Sequence, residues 1–254
     1  MAVSSGIAAP RRAALGASLA ALACSHAAAG RSRATPAGHI VLLGDSIFDN
    51  GAYVASRRDV VTQLRPLLPA GWRATLTAVG GAVALDVRRQ LDWSPAEVSH
   101  LVVSVGGNDA LRQEGLLVQP ARRVGEALTR LIGVVDRFRQ DYQAMLDTLL
   151  ARRLPTALCT IYDPRFPDPL RQRRGAAGLT LFNDVIAREA FLRGLPLIDL
   201  RLVCNEDADF ATPIKPSIQG GGKIAATIAQ LVAEHDFRQH RCTVYGMAPA
   251  DRHR

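Results

Sequence analysis

The chain has 254 residues, of which 48% are hydrophobic and 21% are charged, and its formal net charge is +8. This balance excludes a disordered or collagen-like chain, and the length suits one large domain. The longest uncharged apolar run, Ala13 to Ala23, has 11 residues, about half of the roughly 20 that a membrane-spanning helix needs. We therefore predict one globular domain and no transmembrane segment.

The positive charge is concentrated at the two ends of the chain. Residues 1–38 carry four arginines and no acidic residue, and residues 237–254 carry four arginines and one aspartate. Residues 39–236 have a net charge of only +1. Because the excess lies in the ends, solvated termini explain it better than a nucleic-acid surface does. We predict a domain at 39–236, a basic leader before it, a basic tail after it and no nucleic-acid partner.

The leader admits two interpretations. Arg11 and Arg12, followed by the apolar run and then by small residues, resemble a secretory signal, and Cys24 lies where a lipoprotein signal carries its cysteine. A low-complexity extension upstream of the folded part accounts for the same pattern, so export and a cytoplasmic location both remain open. With either interpretation, we expect residues 1–36 and about 240–254 to be poorly ordered or extended, because neither segment has an apolar period that would dock it.

The cysteines and glycines give no sign of a metal or a nucleotide. Cys24, Cys159, Cys204 and Cys242 include no C-x-x-C pair, so neither a zinc site nor a disulfide framework is indicated. The glycines form neither a G-x-G-x-x-G pattern nor a P-loop. We predict free thiols in the domain, no metal and no cofactor.

From His39 onward, short β-rich runs alternate with longer helical patterns. In chain order the predicted strands are His39–Leu43, Trp72–Val79, Leu101–Val105, Thr156–Ile161 and Leu195–Leu200. The predicted helices are Asp59–Leu67, Leu85–Leu91, Ala121–Ala151, Ala176–Arg193 and Gly221–Asp236. In the longest helix, one face predicted to be buried runs from Val124 and Leu128 to Leu149. This alternation predicts a three-layer α/β/α fold with a five-stranded parallel sheet, covered by helices on both faces.

Three loops that follow predicted strands carry glycine and polar residues. Gly44-Asp45-Ser46 follows the first strand, Gly80-Gly81 the second, and Gly106-Gly107-Asn108-Asp109 the third. The carboxyl ends of parallel strands lie at one edge of the sheet, which is where ligands bind in open α/β folds. We therefore expect these loops to converge on one site.

The three motifs resemble those of the SGNH (GDSL-like) hydrolase family, and the resemblance covers residues 39–236. It implies a flavodoxin-like fold and a serine esterase or acylhydrolase in which Ser46 is the nucleophile. It also implies an oxyanion hole made by the backbone N–H groups of Ser46 and Gly81 and the side-chain amide of Asn108. Each motif alone is an ordinary turn sequence, and their combination at the ends of alternating elements is what indicates a site.

Three carboxylates near these motifs are assigned supporting roles. We expect Asp45 to brace its loop by accepting hydrogen bonds from backbone N–H groups. Asp49, with Asn50, is expected to cap the following turn or to shape the pocket. Asp109 is expected to cap the segment after the third strand rather than to act as a catalytic acid.

The last motif of the family is altered. The family has Asp-x-x-His before the final helix, whereas this chain has Thr212 in place of the Asp and Lys215 in place of the His. The histidines of the sequence fall at the opposite end of the predicted sheet, near the last helix or in the end segments. Lys215 can act as the general base if burial lowers its pKa, and a solvated loop lysine is the alternative. Asp209 and Glu206 are further candidates for the base because they lie in the same loop.

Three functions are compatible with this sequence. The first is an esterase or acylhydrolase acting on an ester or acetyl group of a small molecule. The second is a catalytically impaired relative that binds an acyl or carbohydrate ligand, and the third is a nonenzymatic interaction domain.

Loops 106–120 and 162–169 follow the third and fourth strands and are expected to form the walls of the pocket.

Overall fold

The computed structural model describes residues 37–247, and what was predicted for residues 1–36 and 248–254 lies outside the described residues. The strands are β1 His39–Gly44, β2 Arg73–Leu76, β3 His100–Ser104, β4 Thr156–Cys159, β5 Leu197–Ile198, β6 Phe210–Thr212, β7 Lys215–Pro216 and β8 Val244–Tyr245. Six of them form a parallel sheet in the order β2-β1-β3-β4-β5-β8. The other two, β6 and β7, form a separate antiparallel hairpin.

Seven α-helices and several short 3-10 segments connect the strands in the described part of the chain. The helices are α1 Val60–Leu64, α2 Val87–Asp92, α3 Gly107–Leu111, α4 Val124–Leu150, α5 Pro169–Leu192, α6 Leu200–Val203 and α7 Ile218–Glu234. Within residues 37–247, no helix combines the length and the apolar character that crossing a membrane requires.

The helices cover both faces of the sheet, as the α/β/α prediction requires. Alternate residues of β1 point to opposite faces: Ile40 and Leu42 pack with α1, α6 and α7, while Val41 and Leu43 pack with α2, α4 and α5. All four side chains are fully buried. Burial on both faces explains why the strands read as continuous apolar runs in the sequence.

The five predicted strands and five predicted helices are all present, with shifted ends. The largest shift is in α5, which begins at Pro169 instead of Ala176. Asp168 caps this helix by accepting a hydrogen bond from the backbone N–H of Arg171, and proline suits the first helical position. The helix therefore starts at its capping residues, two turns before its apolar period becomes visible.

The sheet has six strands, not the five predicted, because residues 244–245 pair with β5. Leu197 lies opposite Val244 and Ile198 opposite Tyr245. Tyr245 is buried and packs into the core that α7 covers. The expectation that the segment from about residue 240 does not dock is thus wrong for this strand, since one aromatic side chain and a two-residue pairing dock it without any apolar period.

The predicted buried face of α4 is also partly wrong. Val124 is 78% exposed and Leu128 is 53% exposed, whereas the buried face begins at Phe138. The first half of α4 turns Leu131 and Val135 towards a pocket rather than towards the sheet. The apolar pattern of α4 therefore includes residues that line the pocket as well as residues that pack on the core.

Gly44 ends β1 and directs the chain into the loop that carries Ser46. Its φ is +128°, and an added Cβ would lie 1.9 Å from the backbone oxygen of Ser104 on the neighbouring strand. The side chain of Gln90, itself buried, accepts from the N–H of Gly44 at 2.7 Å and donates to its C=O at 2.8 Å. The backbone conformation before Ser46 is therefore one that only glycine fits.

Gly44→Ala is expected to lower the free energy of unfolding by about 2 kcal/mol, because the new methyl group meets backbone at a left-handed φ. The measurement is urea unfolding followed by circular dichroism. Gly133→Ala on α4 is the matched control: an added Cβ there has no atom within 4 Å, and alanine favours the helix by up to about 1 kcal/mol. Equal stability of Gly44→Ala and the unaltered chain would contradict the argument.

Candidate active site

Ser46 and Lys215 meet at the carboxyl end of the sheet. Ser46 follows β1 and is only 3% exposed, and Lys215 begins β7 in the separate hairpin. Lys215 Nζ is hydrogen-bonded to Ser46 Oγ although the two residues are 169 positions apart. The Lys215 amine is thus in direct hydrogen-bond contact with the hydroxyl of Ser46, the nucleophile predicted from the sequence.

Burial lowers the pKa of Lys215 below its ordinary value of 10.5, while the negative charges of Asp45 and Asp49 act in the opposite direction. The side chain is half-buried, with its ammonium group 5.6 Å from the centre of the Tyr53 ring. A lowered pKa enlarges the fraction of neutral amine, which is the form that accepts a proton. This electrostatic setting separates Lys215 from a solvated loop lysine.

The loop after β2 lies beside Ser46. A Cβ on Gly80 would lie 3.9 Å from Ser46 Cβ, and Gly81 has a φ of +85°. In the part of the chain that the structure describes, neither the N–H of Ser46 nor that of Gly81 donates a hydrogen bond. Neither N–H group is therefore committed to a partner within the described chain.

Asn108 links the loop after β3 to the loop after β2. Its Nδ2 donates to the backbone oxygen of Ala82 at 2.9 Å, and one of its two amide hydrogens remains unused by this bond. Asn108, Ser46 and Lys215 line one pocket. The structure therefore brings the predicted oxyanion donor Asn108 to the same site as the predicted nucleophile.

Asp45 is buried directly behind Ser46. Its Oδ1 accepts from the backbone N–H of Ile47 at 2.9 Å, which is the bracing role expected for it. Burial raises the pKa of Asp45 to about 7, against the opposing effects of the Ile47 hydrogen bond and of the positive charge on Lys215. The loop thus holds a carboxyl group that changes charge near neutral pH.

Asp49 and Asn50 cross-link distant segments and do not cap the turn that follows them. Asp49 Oδ2 accepts from the N–H of Gly80 at 2.8 Å. Asn50 is fully buried, accepts from the N–H of Val60 at 3.0 Å and donates to the oxygen of Pro216 at 3.3 Å. Asn50 therefore ties the Ser46 loop to the strand that carries Lys215, a role that no local sequence signal showed.

Asp109 also has a different partner from the one expected. Its carboxylate accepts from the backbone N–H of Ala84, at 3.2 and 3.3 Å, and so caps the segment after β2 rather than the one after β3. Burial raises the pKa of Asp109 to about 6, and the Ala84 hydrogen bond opposes this effect. Asp109 thereby joins two of the loops that form the site.

Asp209 and Glu206 are turned away from Ser46 and towards α7. Asp209 is fully buried, and its carboxylate oxygens lie 2.8 and 2.9 Å from Lys223 Nζ. Glu206 Oε2 lies 2.9 Å from the same amine. Asp209 thus secures the β6–β7 hairpin to α7, and in the described structure neither carboxylate is hydrogen-bonded to Ser46.

The histidines of residues 37–247 are likewise remote from the site. His39 is bonded through Nε2 to Thr75, and His100 through Nδ1 to Ser99, both at the amino-terminal ends of strands. No histidine among the described residues lines the pocket at Ser46. The same residues contain no group of His, Cys, Asp or Glu side chains arranged to hold a metal ion.

The pocket at Ser46 has more walls than the sequence indicated. Residues from both expected loops line it, including Leu117 and Phe166. The first half of α4 and the middle of α5 complete the enclosure. The contribution of these two helices was missed because an apolar helix face gives the same sequence pattern whether it lines a pocket or a core.

The chain matches the family model described as GDSL-like Lipase/Acylhydrolase over residues 42–220, well over half of its length. No curated protein sequence gives a significant match. Among solved structures, an acetyl xylan esterase is similar with a TM-score of 0.57 and 17% identity, covering 78% of this chain and 100% of that one. An extracellular lipase from Streptomyces rimosus is similar with a TM-score of 0.57 and 15% identity, and the match covers 76% of this chain and 98% of that one. A carbohydrate acetylesterase from Sinorhizobium meliloti is similar with a TM-score of 0.57 and 10% identity, and the match covers 77% of this chain and 98% of that one. At these identities the structural likeness concerns the fold.

Proposed function

Since this chain belongs to the GDSL-like lipase/acylhydrolase family, we propose that it hydrolyses esters of small molecules with Ser46 as the nucleophile and Lys215 as the general base. The single observation that carries this proposal is the hydrogen bond between Lys215 Nζ and Ser46 Oγ. Lys215 stands where the family's histidine is expected, so a different base occupies the same place in the reaction.

In the first half of the proposed reaction, the neutral amine of Lys215 takes the proton of Ser46 Oγ as this oxygen attacks the ester carbonyl carbon. The carbonyl oxygen becomes negatively charged and accepts hydrogen bonds from the N–H groups of Ser46 and Gly81 and from the Asn108 amide. Lys215, now an ammonium ion, returns the proton to the departing alcohol oxygen as the carbon–oxygen bond breaks. The acyl group remains bound to Ser46.

In the second half, Lys215 is again neutral and accepts a proton from a water molecule. The resulting hydroxide equivalent attacks the acyl carbon, the same donors stabilise the oxyanion, and Lys215 protonates Ser46 Oγ as the acyl–serine bond breaks. The carboxylic acid leaves and the starting state is restored. One base thus serves both halves.

An alternative function deserves a test because the family's Asp and His positions hold Thr212 and Lys215. A chain without an activated serine would bind ligands in the same pocket and not turn them over. The difference between the two functions is the reactivity of Ser46 Oγ.

Ser46 is expected to react with a fluorophosphonate probe, because a deprotonating amine lies on its hydroxyl. Labelling is measured by gel fluorescence and located by peptide mass spectrometry. Ser46→Ala is expected to abolish the label, and Ser94→Ala, just beyond the end of α2, is expected to retain it. An intact, folded chain that takes up no label would favour the binding function.

A further inference from the structure

A deep apolar pocket extends from Ser46 into the layer formed by α3, α4 and α5. Asn108 and Lys215 lie at its Ser46 end, and Gln113 and Glu114 are further polar residues on its lining. Farther in, the walls are formed by side chains such as Leu131 and Val135 of α4 and Leu179 of α5. A ligand that fills this pocket has a polar reacting group at one end and an apolar remainder.

An ion pair at the protein surface joins two of the elements that form the pocket. Residues 114–118 form a short 3-10 strap that carries Leu117 over the pocket. Glu114 at the start of this strap accepts two hydrogen bonds from the Arg171 guanidinium, at 2.6 and 2.9 Å. The same guanidinium lies 3.9 Å from the centre of the Phe166 ring, another wall residue. The strap and α5 are thus tied to each other beside the pocket.

We propose that this pocket binds the acyl chain of the ester, and that the preferred substrates carry linear aliphatic acyl groups longer than acetyl. The inference rests on the proposed function, which supplies the acyl–Ser46 intermediate. Transfer of an aliphatic chain from water to a pocket with apolar walls is favourable. A sugar in the same place would lose hydrogen bonds to water and find few partners in return.

The position of Lys215 decides which half of the ester enters the pocket. The departing alcohol oxygen must face Lys215 Nζ, because it takes its proton from there. Lys215 lies beside the ring of Tyr53, and Tyr53, Gly80 and Gly81 are all exposed. The alcohol half therefore lies towards solvent, and the acyl half is left with the apolar pocket.

The first test compares p-nitrophenyl esters from acetate to octanoate. We expect kcat/KM to rise about fourfold for each added methylene until the pocket is filled, from roughly 0.8 kcal/mol per buried methylene. A profile that is flat or falls beyond acetate would overturn the proposal. Ethyl octanoate and octyl acetate are isomers and provide the matched comparison of the two halves. We expect faster hydrolysis of ethyl octanoate, and the reverse order would overturn the assignment of the pocket to the acyl chain.

The second test fills the pocket by substitution. Gly178 on α5 lines it, and a Cβ there has ordinary contact with Leu117 Cδ1, at 3.9 Å, so Gly178→Leu adds a side chain at the wall of the pocket. We expect the ratio of kcat/KM for octanoate to that for acetate to fall at least tenfold. Gly133→Leu, also a helix glycine but exposed and outside the pocket, is expected to leave the ratio unchanged. An unchanged ratio in Gly178→Leu, with the fold verified by circular dichroism, would contradict the proposal.

A third measurement separates this proposal from the proposed function. The Ser46→Ala protein is titrated calorimetrically with octanoate and with acetate, and we expect octanoate to bind at least 100-fold more tightly and with a negative heat-capacity change. Octanoate binding without any Ser46-dependent turnover would refute the hydrolase function and leave the pocket assignment in place. Ser46-dependent turnover of acetate esters without octanoate binding would refute the pocket assignment alone.

Discussion

Lys215→Arg is expected to lower kcat/KM for an activated acetate ester by about 100- to 10,000-fold, the range that a positioned general base contributes. Arginine keeps the positive charge and the hydrogen-bond donors but does not lose its proton in proteins. The substitution therefore removes the base function while retaining the electrostatic one. Lys215→Met removes both and is expected to be at least as inactive. Stopped-flow or steady-state release of p-nitrophenol measures the effect.

The sequence has 31 Lys and Arg residues, and only Lys215 and Lys223 are lysines. The same substitution at Lys223 therefore provides the control. Lys223→Arg keeps the ion pair with Asp209 and is expected to retain activity. An active Lys215→Arg would rule out the lysine base. Rescue of Lys215→Ala by added primary amines, and not by guanidinium compounds, would support it independently.

The pH dependence follows from the same assignment. Only neutral Lys215 accepts the Ser46 proton, so kcat/KM should rise with pH, with its midpoint below 10.5 because burial lowers the pKa of this amine. Ionisation of Asp45, whose pKa is raised to about 7 by its burial, adds a negative charge near Lys215 and holds part of the amine protonated. A carboxylate base would instead give full activity in mildly acidic solution.

Asp209→Asn is expected to lower the free energy of unfolding by about 3 to 5 kcal/mol, because it leaves Lys223 beside a buried neutral amide. Lys223 is itself mostly buried, and its remaining acidic partner, Glu206, is 56% exposed. The measurement is chemical unfolding at pH 7. Glu206→Gln is the matched control, with an expected loss of less than about 1 kcal/mol for an exposed partner.

The activity of the Asp209→Asn protein also decides whether Asp209 has a part in the chemistry. Where the Asp209→Asn protein is still folded, it is expected to keep the same pH profile as the unaltered chain. A variant of undiminished stability that has lost turnover would mean that Asp209, and not Lys215, is the base.

The arrangement of the sheet and its helices was open to prediction because each element carries its own period and its own turn residues. The position of Ser46 was predictable for the same reason, since Gly44-Asp45-Ser46 follows a continuous apolar strand. The partners of Asp49 and Asp109 could not be predicted, because their carboxylates accept from the N–H groups of Gly80 and Ala84, which are near in space and distant in sequence. Local pattern holds no information on such pairs.

Lys215 shows most clearly where sequence reasoning stopped. A motif position gives the place of a residue along the chain, and the choice between base and solvated lysine depends on burial and on the neighbour of Nζ. Residue type does not settle this choice, because Lys223, the other lysine of the sequence, forms an ion pair with Asp209.

The outer strands of the sheet are short: β2 has four residues, and β8 has two, the same number as its neighbour β5. An exposed strand edge offers another chain a row of free backbone groups, and its hold on that chain grows with its length. In the described part of this molecule the longer strands β1 and β3 lie inside the sheet, and β2 and β8 form its edges. We accordingly expect little edge-to-edge association between copies at high concentration, and we expect the same after removal of β8, because β5 is equally short.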